Sequence, residues 1–229
     1  MPENFESGNQ GRLRIETLGR SIIESIVDPK EFDIEFHGEN IALILAGEEH
    51  HNPQDIKLQS ALIEAVKPEF VLHEFLSGWI YNPNTKEVRL QDNRRAYTDP
   101  DEENLGLESV DKPVLDAAKK VGATIVGCDI TFFELDMLER KIARENPDKY
   151  EYFHGLLSRS NPNEIITTAH SLIMPYRDKQ IKDTTFHYLT LTRKPLIVIV
   201  GGAHADNLSQ GNMLDGKGFD YVRIGRKKK

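Results

Sequence analysis

Short apolar runs that stop at a glycine alternate with stretches of helical periodicity along most of this chain. Leu43-Ile44-Leu45-Ala46 runs into Gly47-Glu48-Glu49-His50, and Leu196-Ile197-Val198-Ile199-Val200 runs into Gly201-Gly202-Ala203-His204. Runs this short, apolar at every position, fit strands buried on both faces. Pro53 then opens a segment in which Ile56, Leu58, Leu62, Ile63 and Val66 recur at helical spacing, until Lys67-Pro68 stops it. Phe70 to Glu74 and Ala123 to Asp129 read as two further core strands, and Tyr221 to Ile224 as the last. Leu13, Ile15, Leu18, Ile22, Ile23 and Ile26 predict an N-terminal helix ending near Asp28-Pro29. Phe32, Ile34 and Phe36 alternate with charged residues and predict an edge strand. Helices are expected over Pro113 to Lys120, Phe133 to Ile142, Tyr152 to Leu157, Pro162 to Met174, Asp178 to Thr192 and Leu208 to Leu214.

Strands joined by helical crossovers pair in parallel, which makes the fold class α/β with a mostly parallel central sheet. Leu43 to Glu74 reads strand, Gly-x-x-His, helix, strand, and Leu196 to Ile224 repeats that order in shorter form. The expectation is therefore two duplicated units with a helical insertion between them. Residues 77–111 break the pattern: they are turn-rich and charged, and predict a lid or mobile insertion beside a cleft. At 229 residues the whole chain, 1–229, reads as one domain.

Composition narrows the possibilities. A net charge of −8 argues against a nucleic-acid binder, and the basic end Arg226-Lys227-Lys228-Lys229 reads as a solvated tail. One cysteine rules out an internal disulfide and suits a reducing compartment. No apolar run approaches the roughly 20 residues of a membrane span, and the acidic N-terminus lacks a signal peptide's apolar core. A cytoplasmic protein with no membrane partner is the expectation.

His50 and His204 each follow a strand end, where open α/β sheets place their chemistry. Two histidines with one or two carboxylates form a common first shell for a divalent ion. Glu48, Glu49, Glu74 and Asp129 are the candidate carboxylates. Of the neighbours His73 and Glu74 only one faces a shared cleft, and Glu74 is the choice. Arg177, read as opening a helix in Pro175-Tyr176-Arg177-Asp178, could neutralise developing negative charge. His37, His51, His154, His170 and His187 read as surface or satisfied core residues, and Cys128 as an inert core thiol.

Taken together, Ala46-Gly47-Glu48-Glu49-His50, Lys67 to Glu74, Tyr176-Arg177-Asp178 and Val200 to His204 resemble the TraB, Tiki and ChaN-like group, which is grouped with erythromycin esterase. The resemblance implies a three-layer α/β fold with a duplicated core. For the Tiki-like members it implies a metal-dependent peptidase, with His50, His204 and Glu74 around the metal and Arg177 as the family's arginine. Three functions follow as expectations. In the first, a Mn-, Co- or Zn-class ion assists hydrolysis of a peptide or small molecule, Glu48 or Glu49 accepts a proton and Asp129 is a further possible ligand. The second is a metal-free, esterase-type hydrolase using His50 and a glutamate. The third is a non-catalytic protein that holds a small ligand or haem.

Overall fold

The computed structural model describes residues 15–96, 106–145, 147–148, 162–210 and 213–227. Strands β1 (Leu18–Gly19), β2 (Phe32–His37), β3 (Asn40–Glu48), β4 (Phe70–His73), β5 (Trp79–Asn82), β6 (Glu87–Leu90), β7 (Thr124–Gly127), β8 (Leu196–Gly201) and β9 (Asp220–Arg226) form one sheet. The helices are α1 (Arg20–Ile26), α2 (Pro53–Val66), α3 (Lys112–Val121), α4 (Phe132–Glu145), α5 (Pro162–Leu191) and α6 (Gly202–Gln210). The sheet runs β2-β9-β3-β8-β4-β7-β5-β6, with β1 paired to β3 off that path. Its centre, β9-β3-β8-β4-β7, is parallel, and antiparallel strands finish both edges.

Helices cover both faces, which completes a three-layer α/β fold. Ile44 and Ala46 of β3 and Ile197 and Ile199 of β8 pack with Ile23, Leu58, Leu62, Ile63 and Val114 of α1, α2 and α3. Leu43, Leu45, Val198 and Val200 point the other way, onto Ile181 and Leu189 of α5 and Leu208 of α6. A register shift between Ile41 and Leu43 puts Ile41 on the Ile44 face despite its odd spacing. Each such fully buried Leu or Ile contributes about 1.5–3 kcal/mol. Helix α2 begins as its sequence dictates. Asn52 accepts the Gln54 N–H as N-cap, Pro53 follows, and Lys67 ends the helix in the left-handed region at φ 51.

The two repeated units interleave. From β3 the chain crosses through α2 to β4, passing over β8; from β8 it crosses through α6 to β9, passing over β3. Exchanging the units maps the order β9-β3-β8-β4 onto itself reversed. Because the crossovers run in opposite directions, their helices lie on opposite faces, as a common handedness requires.

Several expectations change. The N-terminal stripe gives a helix only over Arg20–Ile26, because Leu18 and Gly19 pair with Ile41 and Asn40 as a strand; Leu13 lies outside the described residues. One helix, Pro162–Leu191, replaces the two expected there. Pro175 removes one backbone donor, and the helix continues past it, so Arg177 sits inside the helix and not at its start. The helix expected over Leu208 to Leu214 is Gly202–Gln210, rising directly out of β8. The helix expected around Tyr152 to Leu157 lies outside the described residues, as does 97–105 of the lid expected over 77–111. Among the described residues of that segment, β5 and β6 form a hairpin that extends the sheet beyond β7, with Trp79, Ile80 and Val110 buried. No helix among the described residues is long and apolar enough to cross a membrane.

Beyond this hairpin, Arg94 clamps the chain to the start of α4. Its Nε donates to Glu134 Oε1 at 2.9 Å and its Nη2 to the Asp129 carbonyl at 2.6 Å. Burial alone would raise the Glu134 pKa, but Arg94 and the N–H groups of Thr131 and Arg95 outweigh it and hold the carboxyl below its ordinary value. A depressed carboxylate adds stability above its unfolded pKa and loses it as pH falls through the folded one. Glu134→Gln is therefore expected to lower the urea midpoint near neutrality and to flatten its fall below about pH 4.5. Parallel midpoint-against-pH curves for variant and parent would count against the clamp.

Candidate metal centre

The centre lies at the carboxyl edge of β3, β8 and β4. In β3, Glu48 follows Ala46 onto the α2 face and is buried. Its Oε1 meets His50 Nδ1 at 2.9 Å, and its Oε2 accepts a hydrogen bond from Gln59 Nε2 of α2. His51, at φ 60, closes the turn in the left-handed region, and Asn52 N–H donates to the Glu49 carbonyl. His50 is 45% exposed and directs Nε2 at Glu74 Oε1, 3.1 Å away. Its ring leans on Phe75, centroids 4.7 Å apart.

Beyond β4 the chain turns at once into a 3-10 segment, Glu74–Leu76. Buried His73 caps that segment, its Nδ1 accepting the Phe75 N–H at 3.3 Å. Burial pushes the His73 pKa down to about 4, so at neutral pH this imidazole is uncharged and carries its proton on Nε2. Glu74, not His73, enters the centre. Its Oε2 accepts the Gly201 N–H of β8 at 2.8 Å and lies 3.9 Å from His204 Nε2. His204 sits in the first turn of α6, buried, with Nδ1 held 2.6 Å from Asp178 Oδ1 of α5. Asn207 Nδ2 steadies the other Asp178 oxygen at 2.8 Å.

The two histidines are thus wired alike: each has Nδ1 on a buried carboxylate and Nε2 toward one oxygen of Glu74. Buried carboxylate partners fix the tautomer and orientation of ligating histidines. Glu48, His50 and Glu74 can each offer an atom within 4.8 Å of the others, and His204 stands on the far oxygen of Glu74. Burial raises the Glu74 pKa, against the Gly201 N–H, both histidines and Arg177. The Glu48 hydrogen bond raises His50, with burial opposing it. Burial works to raise Glu48, but His50, His73 and Gln59 outweigh it and the net shift is downward.

The remaining candidates divide. Arg177 donates from Nε to Asp129 Oδ2 at 2.7 Å and binds the same oxygen through Nη2. Burial works against its charge, but Asp129, then Glu74, keep the guanidinium charged. Asp129 thereby serves as the seat of Arg177. Glu49 is solvent-facing; its carboxylate accepts from Asn52 Nδ2 at 3.2 Å, outside the cluster. His51 is exposed and meets Asp111 at 3.3 Å, and His37 stacks on Tyr221 at 4.1 Å. Cys128 is buried, as expected. The sequence does not mark Asp178, Gln59 and Asn207 as site residues. Their partners lie 26, 11 and 29 positions away, and no local spacing marks them. No protein-family model, curated protein or solved structure matches the chain.

Proposed function

We propose that this chain is a metal-dependent hydrolase acting on a peptide or small molecule, related to the TraB, Tiki and ChaN-like group. His50, His204 and Glu74 would hold a divalent ion of the Mn, Co or Zn class. The observation that supports this is the matched wiring of the two imidazoles, Nδ1 on Glu48 and on Asp178, Nε2 on the two oxygens of Glu74. Two imidazole nitrogens and a carboxylate suit such an ion. A bound ion supplies Lewis acidity and a hydrolytic nucleophile at neutral pH.

The chain's own groups then have distinct tasks. Both Glu48 oxygens are engaged, so we assign that residue to orienting His50 and not to accepting a proton. Arg177, seated on Asp129 and 30% exposed, steadies negative charge on the reacting carbonyl. The half-exposed His50 marks the side from which substrate enters. A metal-free hydrolase has one supporting observation, the Glu48–His50 hydrogen bond, which makes the imidazole a stronger base.

Metal analysis of the purified protein and hydrolysis of a peptide and ester panel separate the two readings. The expected result is stoichiometric metal, activity lost on chelation, and loss of both in His204→Ala. Activity that survives complete chelation favours the metal-free reading. Metal content unchanged in His204→Ala would remove the assignment of that ligand.

A further inference from the structure

The two Gly-x-x-His segments begin alike, and each glycine faces part of the other unit. Gly47 lies in β3 beside Val200 of β8, and a Cβ added there would stand 2.9 Å from Ala205 Cβ and 3.4 Å from Gly202 Cα. The first is well inside the roughly 3.5–4.0 Å optimum for carbon contacts. Gly202 and Ala205 belong to the first turn of α6, the turn that carries His204. Gly201, in β8, pairs with Glu48 of β3. A Cβ there would stand 3.5 and 3.6 Å from the Glu74 oxygens and 3.6 Å from His50 Cε1. Neither glycine has a positive φ, so backbone freedom is not what calls for glycine. At Gly47 an added Cβ would crowd Ala205, whereas at Gly201 it would sit in ordinary contact and occupy the space that Glu74 and His50 face.

The geometry points to crossed positioning. Gly47, from the first segment, sets how closely α6 approaches and so where His204 stands. Gly201, from the second, keeps open the space between Glu74 and His50 and ties Glu74 down through its N–H. Both are positioning residues, and neither serves mainly the histidine that follows it in sequence. This arises from the interleaved strand order, which makes β3 and β8 immediate neighbours. The crossing rests on packing alone; its consequence for metal affinity rests on the hydrolase reading.

The test uses Gly47→Ala, Gly201→Ala, Ala205→Gly and the double variant Gly47→Ala/Ala205→Gly in the full chain. Imidazole nuclear magnetic resonance is read on metal-free protein, and Co2+ affinity by visible absorption. Gly47→Ala is expected to move the His204 ring resonances more than those of His50 and to weaken Co2+ by about tenfold or more. The double variant should return both to the values of Ala205→Gly alone, because the facing methyl is gone. Gly201→Ala meets only ordinary contacts, so its thermal midpoint should hold. Its methyl should shift His50 more than His204 and weaken Co2+ by a similar factor. Equal or larger shifts at the histidine of the same segment, or no rescue in the double variant, overturn the crossing. If Gly47→Ala does not fold, folding of the double variant supports the contact and its failure overturns it. If the parent protein binds no Co2+, the metal-dependent reading fails, and the ring resonances alone decide the crossing.

Discussion

Glu74→Gln is expected to empty the centre while leaving the sheet folded. Among the described residues, Glu74 is the one carboxylate that both imidazole Nε2 atoms approach, at 3.1 and 3.9 Å. Glutamine keeps its shape, and the Gly201 N–H, 2.8 Å from Oε2, would hold the amide oxygen at that position. The amide nitrogen then faces His50 Nε2, where a donor nitrogen replaces a ligand oxygen. Losing an outer partner of a metal ligand typically costs about 10–100-fold in affinity, and losing the ligand itself should cost more. Zn2+ or Co2+ affinity and turnover should therefore fall together by over about a hundredfold. Metal-free stability should hold or rise, because the variant no longer buries a charge whose pKa burial has already pushed up. Stoichiometric metal in Glu74→Gln at parental affinity would sink the assignment.

Arg177→Ala should separate binding from chemistry. The guanidinium touches Asp129, not an imidazole nitrogen, so metal content should remain stoichiometric. On the proposed hydrolase reading it acts on charge that develops during reaction, and removing one such donor typically costs about 10²–10³ in kcat. KM should change far less, because the interaction strengthens only in the transition state. Lysine at this position restores charge without the planar fork that grips Asp129, so rescue should be partial. A fall in metal content matching the fall in rate would make Arg177 structural, as would unfolding of both variants.

What was legible in the sequence, and what was not, follows from distance along the chain. The runs Leu43 to Ala46 and Leu196 to Val200 announce strands covered on both faces, and they are. The Gly-x-x-His segments announce their place at strand ends. Asp178 could not be read as the partner of His204, because helix α5 brings it there from 26 residues upstream. Arg177 beside it was legible as a charge, but not its seat on Asp129, 48 residues back. Local signals also lost to tertiary ones. Ile15 and Leu18 fit a helical stripe, yet Leu18 and Gly19 complete a pairing with β3. Gly201-Gly202 reads as a turn, yet α6 starts at Gly202, which places His204 in a helix. In 77–111, Asn82-Pro83-Asn84 outweighed the apolar Trp79, Ile80, Val88 and Leu90, which the hairpin sets against the sheet.

The interleaved strand order bears on how the chain acquires its structure. β3 and β4 are joined by α2 alone, yet the slot between them belongs to β8, which follows β4 only after the 122 intervening residues 74–195. Until β8 arrives, the first unit must hold its strands about 9–10 Å apart, two inter-strand spacings, or let them pair directly in a non-native sheet. Direct pairing would be a kinetic trap, and its release requires opening a formed ladder. Because long-range pairing must first meet the cost of loop closure, the central β3–β8 ladder is expected to form late in folding. The same ladder brings Gly201 and His204 to Glu74. On the proposed metal-dependent reading, competence to bind metal is therefore expected to appear in the same late step as native sheet order.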